Sequence, residues 1–201
     1  MWYVSRLVGA CFLSGFMFSG CTVLSPSEES HFYLLSSPGL DVASRDGAVN
    51  PATNIITSVG PVRFADYLKR SSVVIQNSDN QYEIAKLDQW GGSLENEFEM
   101  ALLKNLMASL PGQTFVLDSG MLAQRSNYNL KIDVYRFDGQ KGKNARLQAS
   151  WAWVNESGVV ASGVFADSVA AGTTVAEQVA AMSKLVARFA QSLSAKLHSD
   201  F

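Results

Sequence analysis

The chain has 201 residues, 47% of them hydrophobic and 17% charged, with a formal net charge of -2 at pH 7. That balance excludes a disordered polyelectrolyte, and without a basic patch it also argues against nucleic-acid binding driven by phosphate attraction. The length beyond the N-terminal segment suits one domain with its own core.

Arg6 precedes a mostly apolar run over residues 7–18, which ends in Ser19, Gly20 and Cys21. A bilayer-spanning helix needs roughly 20 apolar residues, whereas a run of about 7 to 15 behind a positive charge fits a signal peptide. Phe18-Ser19-Gly20-Cys21 looks like a bacterial lipobox, with Phe18 where Leu is usual. Ser19 and Gly20 let the backbone lie extended in a protease groove, and the Cys21 thiol offers the acylation site. Cys21 is therefore expected to be the lipid attachment point and the first mature residue. At about 0.8 kcal/mol per buried methylene, two or more acyl chains hold such a protein stably to a membrane. The competing reading is an ordinary secretory signal in which Cys21 is incidental. Cys11 lies inside the signal, so no internal disulfide is expected in the mature domain. Resemblance to bacterial lipoproteins makes Thr22, next to the cysteine, a residue that favours the outer membrane. The expected division is a signal peptide over 1–20, a lipid-anchored tether over 21–31 and a single domain over 32–201.

Residues 31–35 are short, aromatic and apolar, as in a first strand. Residues 39–54 carry Gly39, Gly47 and Pro51 and read as a loop. A strand over 55–62 is broken at Gly60-Pro61, where proline's missing donor suggests an edge or a strand end. Residues 67–70 suggest a helical turn or bend, and 72–76 with 82–87 suggest a hairpin around 77–80. Ser93 caps a first helix whose apolar stripe is Leu94, Phe98, Ala101, Leu102, Leu106 and Leu110, stopped by Pro111-Gly112. A brief strand follows over 114–117. Residues 128–137 alternate cleanly, with Leu130, Ile132 and Val134 on one side. After a turn over 138–144, strands over 145–154 and 159–168 form a hairpin. Thr174 and Glu177 have capping-box spacing, and Val175, Val179, Met182, Val186, Phe189, Leu193 and Leu197 make a long apolar stripe. The expected fold is α+β, a mainly antiparallel β-sheet with two α-helices packed on one face.

No catalytic constellation emerges. The two histidines, His31 and His198, stand apart from any Cys, Asp or Glu at metal-ligand spacing, and no nucleophile elbow, zinc motif or phosphate loop occurs. No metal, cofactor or enzymatic activity is expected. Glu95 and Glu99 read as a solvated helix face. Trp151 and Trp153 alternate to one side of a strand, either as core under a helix or as an aromatic surface for lipid or a partner. Trp90 and Tyr67 join them as candidate contacts.

Val59-Gly60-Pro61-Val62, Tyr67-Leu68-Lys69-Arg70, Val73-Val74, Ala85, and Trp90 followed by Ser93-Leu94-Glu95-Asn96 resemble the PqiC-like auxiliary lipoprotein family of ABC-type transport systems. So do the strand ending in Arg136-Phe137-Asp138 and the strand carrying Trp151. Where that family usually has Ala and Pro after the tryptophan, this chain has Gly91, Gly92 and Ser93. The resemblance implies a periplasm-facing lipoprotein of the outer membrane that partners an MCE-domain transport protein in moving lipids between membranes. Two non-catalytic roles are then open. One is an anchor or adaptor that docks through an exposed sheet edge or face, which can also build a homo-oligomer. The other is a lipid-binding module with a pocket lined by Trp151, Phe165 and the 179–189 stripe.

Overall fold

The computed structural model describes residues 28–37 and 55–200, with side chains to residue 197. The lipobox and the loop expected over 39–54 lie outside the described residues. The elements in chain order are β1 (His31–Tyr33), β2 (Ile56–Phe64), a 3-10 turn (Asp66–Leu68), β3 (Ser72–Ser78), β4 (Gln81–Trp90) and α1 (Leu94–Ser109). They continue with β5 (Thr114–Leu117), a second 3-10 turn (Ala123–Arg125), β6 (Tyr128–Gly139), β7 (Asn144–Asn155), β8 (Gly158–Ala170) and α2 (Val175–Asp200).

The eight strands among the described residues form one sheet with β6 as its spine. β6 pairs antiparallel with β7, and β7 antiparallel with β8. On its other side β6 runs parallel to β2 through Val134 and meets β3 at Gly139. β5 adds to β2 in parallel, β4 pairs antiparallel with β3, and β1 lies parallel to β4. The α+β class holds, but the sheet is mixed and not mainly antiparallel. Hairpins account for the antiparallel pairs. The strands that join β2 lie beyond α1, and a chain returning to a sheet after a helix can run parallel to the strand it left.

Gly60-Pro61 does not break β2, and β2 is no edge, since it lies between β5 and β6. The peptide bond is cis, and a register shift between Val59 and Val62 forms a bulge that accommodates the proline inside the sheet. Gly60 has φ 109°, a conformation that favours glycine, and the Glu99 carboxylate lies 2.9 Å from where a Cβ would be.

α1 starts where Ser93 Oγ accepts the Asn96 N–H at 3.2 Å, and it buries Leu94, Phe98, Ala101, Leu102 and Leu106. At the start of α2 the Glu177 N–H donates to Thr174 Oγ1 and the Thr174 N–H donates back to Glu177 Oε2, closing the expected capping box. The bonds from Thr174 hold the Glu177 carboxyl below its ordinary range. The helices contact each other; α1 covers β2 and β5, while α2 covers β6, β7 and β8. Between helices and sheet, the Phe98 ring stands edge-on to Phe64 at 5.4 Å and to Phe137 at 5.3 Å, and Phe189 follows at 6.4 Å. Burying each such side chain contributes roughly 1.5–3 kcal/mol, so this layer supplies most of the driving force.

Candidate functional site

The sheet face away from the helices carries a polar node. Alternation along β6 puts Phe137 in the apolar core and turns Arg136 and Asp138 the other way. Asp138 is 1% exposed, and three side chains supply it with donors. The Tyr67 hydroxyl donates to Oδ2 at 2.9 Å, the Tyr82 hydroxyl to the same oxygen at 3.5 Å, and Arg136 Nε to Oδ1 at 3.2 Å. Arg136 also donates through Nη2 to the buried Gln76 side chain. The Tyr67 and Tyr82 rings lie 4.8 Å apart over the carboxylate. Burial, with the Asp138 charge second, pushes the Tyr67 phenol far above its ordinary range, so it stays a neutral donor. Three donors on a carboxylate sealed from water make a fixed structural joint between the first 3-10 turn, β3, β4 and β6.

Of the four aromatic residues expected as contacts, Tyr67 is partly exposed and belongs to this node. The tryptophans are interior: Trp90, Trp151 and Trp153 are 5%, 7% and 1% exposed and belong to the main apolar cluster. Trp151 lies across the backbone of Gly163 on β8, where a Cβ would come within 2.9 Å of the indole. The region expected as an acyl-chain pocket is filled by side chains, with the Phe165 and Phe189 rings 4.9 Å apart. Two adjoining depressions of about 440 and 390 Å³ lie at one end of the sheet. Gln124, Asn127, Asn155 and Glu156 are among their linings, polar groups that suit no hydrocarbon. Cys21 lies outside the described residues.

Glu99 is not on a solvated face. It is half-buried against the β2 bulge, where its Oε1 accepts the Val62 N–H at 2.8 Å. Sequence reasoning also missed Asp138, assigned to a turn, with Gln76 and Tyr82. The available signal was the i, i+2 spacing of Arg136 and Asp138, which puts opposite charges on one side of a strand.

Among the described residues no group of His, Cys, Asp or Glu could hold a metal ion, and no helix is long and apolar enough to cross a membrane. One long edge stands open. β8 pairs with β7 from its first residue to its last and, among the described residues, with no other strand. It carries exposed Val159, Val160 and Val164 and contains no proline or basic residue; its guards against strand addition are the register shift that leaves Val160 unpaired and Asp167, which pairs with Arg188 at 3.1 Å.

The described residues thus form a mixed sheet backed by two helices, with a sealed polar joint and an open edge. Residues 33–194 match the family described as the ABC-type transport auxiliary lipoprotein component, and the chain belongs to that family. It is 31% identical over 98 residues to the intermembrane transport lipoprotein PqiC of Escherichia coli (strain K12), and equally to that of Shigella flexneri. Each alignment covers 49% of this chain and 51% of the relative, so the chain spans about half the length of the curated relatives it matches. Among solved structures, an uncharacterized protein superposes with a TM-score of 0.70 at 21% identity, over 85% of this chain and 99% of the other. Protein XCC0632 from Xanthomonas campestris gives a TM-score of 0.57 at 16% identity, over 73% and 88%. These two share the fold.

Proposed function

We propose that the chain is a non-enzymatic adaptor, held by acylated Cys21 to the periplasmic side of the outer membrane, that docks an MCE-domain component of an ABC-type intermembrane lipid transport system. The observation that carries this reading is the family match over 33–194, since it joins a lipoprotein to ABC-type transport. The relatives' name, intermembrane transport lipoprotein, points the same way. The lipobox supplies the anchor, with 1–20 removed, 21–31 as tether and 32–201 as the domain. The docking element is the free edge of β8, whose unpaired backbone groups accept an extended partner strand or a second copy of the chain. None of the four aromatic candidates lies on that edge: the tryptophans lie inside, and Tyr67 belongs to the Asp138 joint.

Two experiments test it. Palmitate labelling is expected in the wild type and lost in Cys21→Ala; equal labelling of both removes the anchor. A photo-crosslinker at Val164, 76% exposed on β8, is expected to capture an MCE-domain protein in intact cells. Capture of lipid alone would sink the adaptor role.

A further inference from the structure

The wing of the sheet nearest the proposed anchor carries an apolar surface that the adaptor role leaves unused. In β1 Phe32 is 67% exposed, and next to the strand Leu34 is 63% exposed. Register puts Phe32 beside Gln89, Gln89 beside Ser72, Val74 beside Ile84 and Gln76 beside Tyr82. Ser72, Val74 and Gln76 alternate with Val73 and Ile75, which point into the core, so Phe32, Ile84 and Tyr82 share the face away from the helices. Ile84 is 43% and Tyr82 38% exposed there. Leu34 lies over Gly91, and the adjacent Gly92 shares a surface depression with Lys69, Arg70 and Glu95. The Arg70 guanidinium makes no ion pair among the described residues, whereas Lys69 pairs with Asp66 at 2.8 Å.

We infer that this patch seats the domain on the lipid surface beside its own anchor, with Phe32 and Leu34 entering the interface and Arg70 facing lipid phosphates. The inference rests on the anchoring proposed above. Residues 21–27 separate Cys21 from the first described residue, and seven residues extend at most about 25 Å. β1 begins three residues later, so the patch is on the first element the tether reaches. A patch tied this closely to a bilayer contacts it as an intramolecular event, and a small apolar area then suffices. An apolar, aromatic surface rimmed by a cation that has no ion pair among the described residues is the chemistry of a membrane interface.

The test uses the full acylated protein in vesicles of phosphatidylethanolamine with a minor share of phosphatidylglycerol. Beyond Cys21 the mature sequence has no cysteine, so Gln89→Cys on the patch face and Val164→Cys on β8 each take one nitroxide label. The ratio of oxygen to nickel-complex accessibility is expected to be several-fold higher at position 89 than at 164. In a Phe32→Ser, Leu34→Ser background it should fall to the value at 164. Both substituted residues are exposed, and the comparison of the two label sites needs neither substitution. Equal ratios, with acyl mass present on Cys21, overturn the patch while the anchor stands. Absence of acyl mass overturns the anchor and the patch with it.

Discussion

The two wings of the sheet are joined to β6 by different means. On one side β7 follows β6 from Asn129 to Gly139, and β8 follows β7 from Asn144 to Asn155, so long backbone ladders, each with one register shift, carry that wing. On the other, β2 runs parallel to β6 as far as Phe64 against Val134, and beyond it β3 meets β6 at one register position, Ile75 against Gly139. Side chains supply the rest: Tyr67, Tyr82 and Arg136 converge on Asp138, and Gln140 reaches the Asn77 carbonyl at 3.0 Å. A ladder spreads its strength along a strand, whereas a side-chain node concentrates it in a few atoms. The wing that carries β1, the first described strand, is the one held by the node.

The largest way to break that contrast is Asp138→Ala. It strands Arg136, whose side chain is 21% exposed, and removes the acceptor of two hydroxyls. Losing one partner of a buried pair costs about 3 kcal/mol or more. Urea unfolding should show that loss, and amide exchange should accelerate over 72–78 and 81–90 well before 144–155. Uniform acceleration across both wings would mean that the node is no special joint.

Next is Gly163→Ala in the laddered wing. The added methyl meets the Trp151 indole, and overpacking of this kind costs about 1–3 kcal/mol. Because the ladder holds on either side, exchange should rise only near 149–153 and 161–165, with the other wing unchanged. Loss of protection in β3 and β4 would contradict the division.

The contrast was half legible in the sequence. Both helices, the capping box and the β7–β8 hairpin follow from periodicity and caps, because each depends on residues close in the chain. Periodicity reports that one face is buried and not which strand lies alongside, so the parallel pairings of β2 with β5 and β6 were hidden. Asp138 reads as a turn residue because its hydroxyl partners, Tyr67 and Tyr82, are remote in sequence. Glu99 reads as solvated because the bulge that half-buries it belongs to β2. That Trp151 and Trp153 share one side of a strand was legible, with core under a helix as one of two readings; α2 laid over β7 and β8 decides for it.

A smaller effect, of opposite sign, is expected at the same joint. Gln178 on α2 is 1% exposed and lies against Gly139, with neither amide oxygen nor nitrogen bonded to a described group. A buried unsatisfied polar group costs about 1–3 kcal/mol, so Gln178→Met, similar in volume and apolar, should gain about 1 kcal/mol. Thermal melting at fixed pH checks it. A loss would mean that the carboxamide contributes to the joint through bonds outside the described set.

The smallest effect separates charge from hydrogen bond where α1 meets the β2 bulge. Burial raises the Glu99 carboxyl above its ordinary range; the Val62 N–H opposes that rise, and Asp118 and Glu95 add to it. An acid whose pKa is higher folded than unfolded binds more protons in the native state, so its contribution is favourable at low pH. That contribution is lost as pH rises from the ordinary glutamate range, about 4.3, through the raised value. Glu99→Gln keeps the acceptor for Val62 and removes the charge. Its melting temperature should match the wild type near about pH 4 and exceed it increasingly toward neutrality. A difference independent of pH would rule out charge as the cause. A less stable variant at neutral pH would mean that the charge-assisted bond to Val62 outweighs burial, and this third joint would then resemble the Asp138 node more than the ladder.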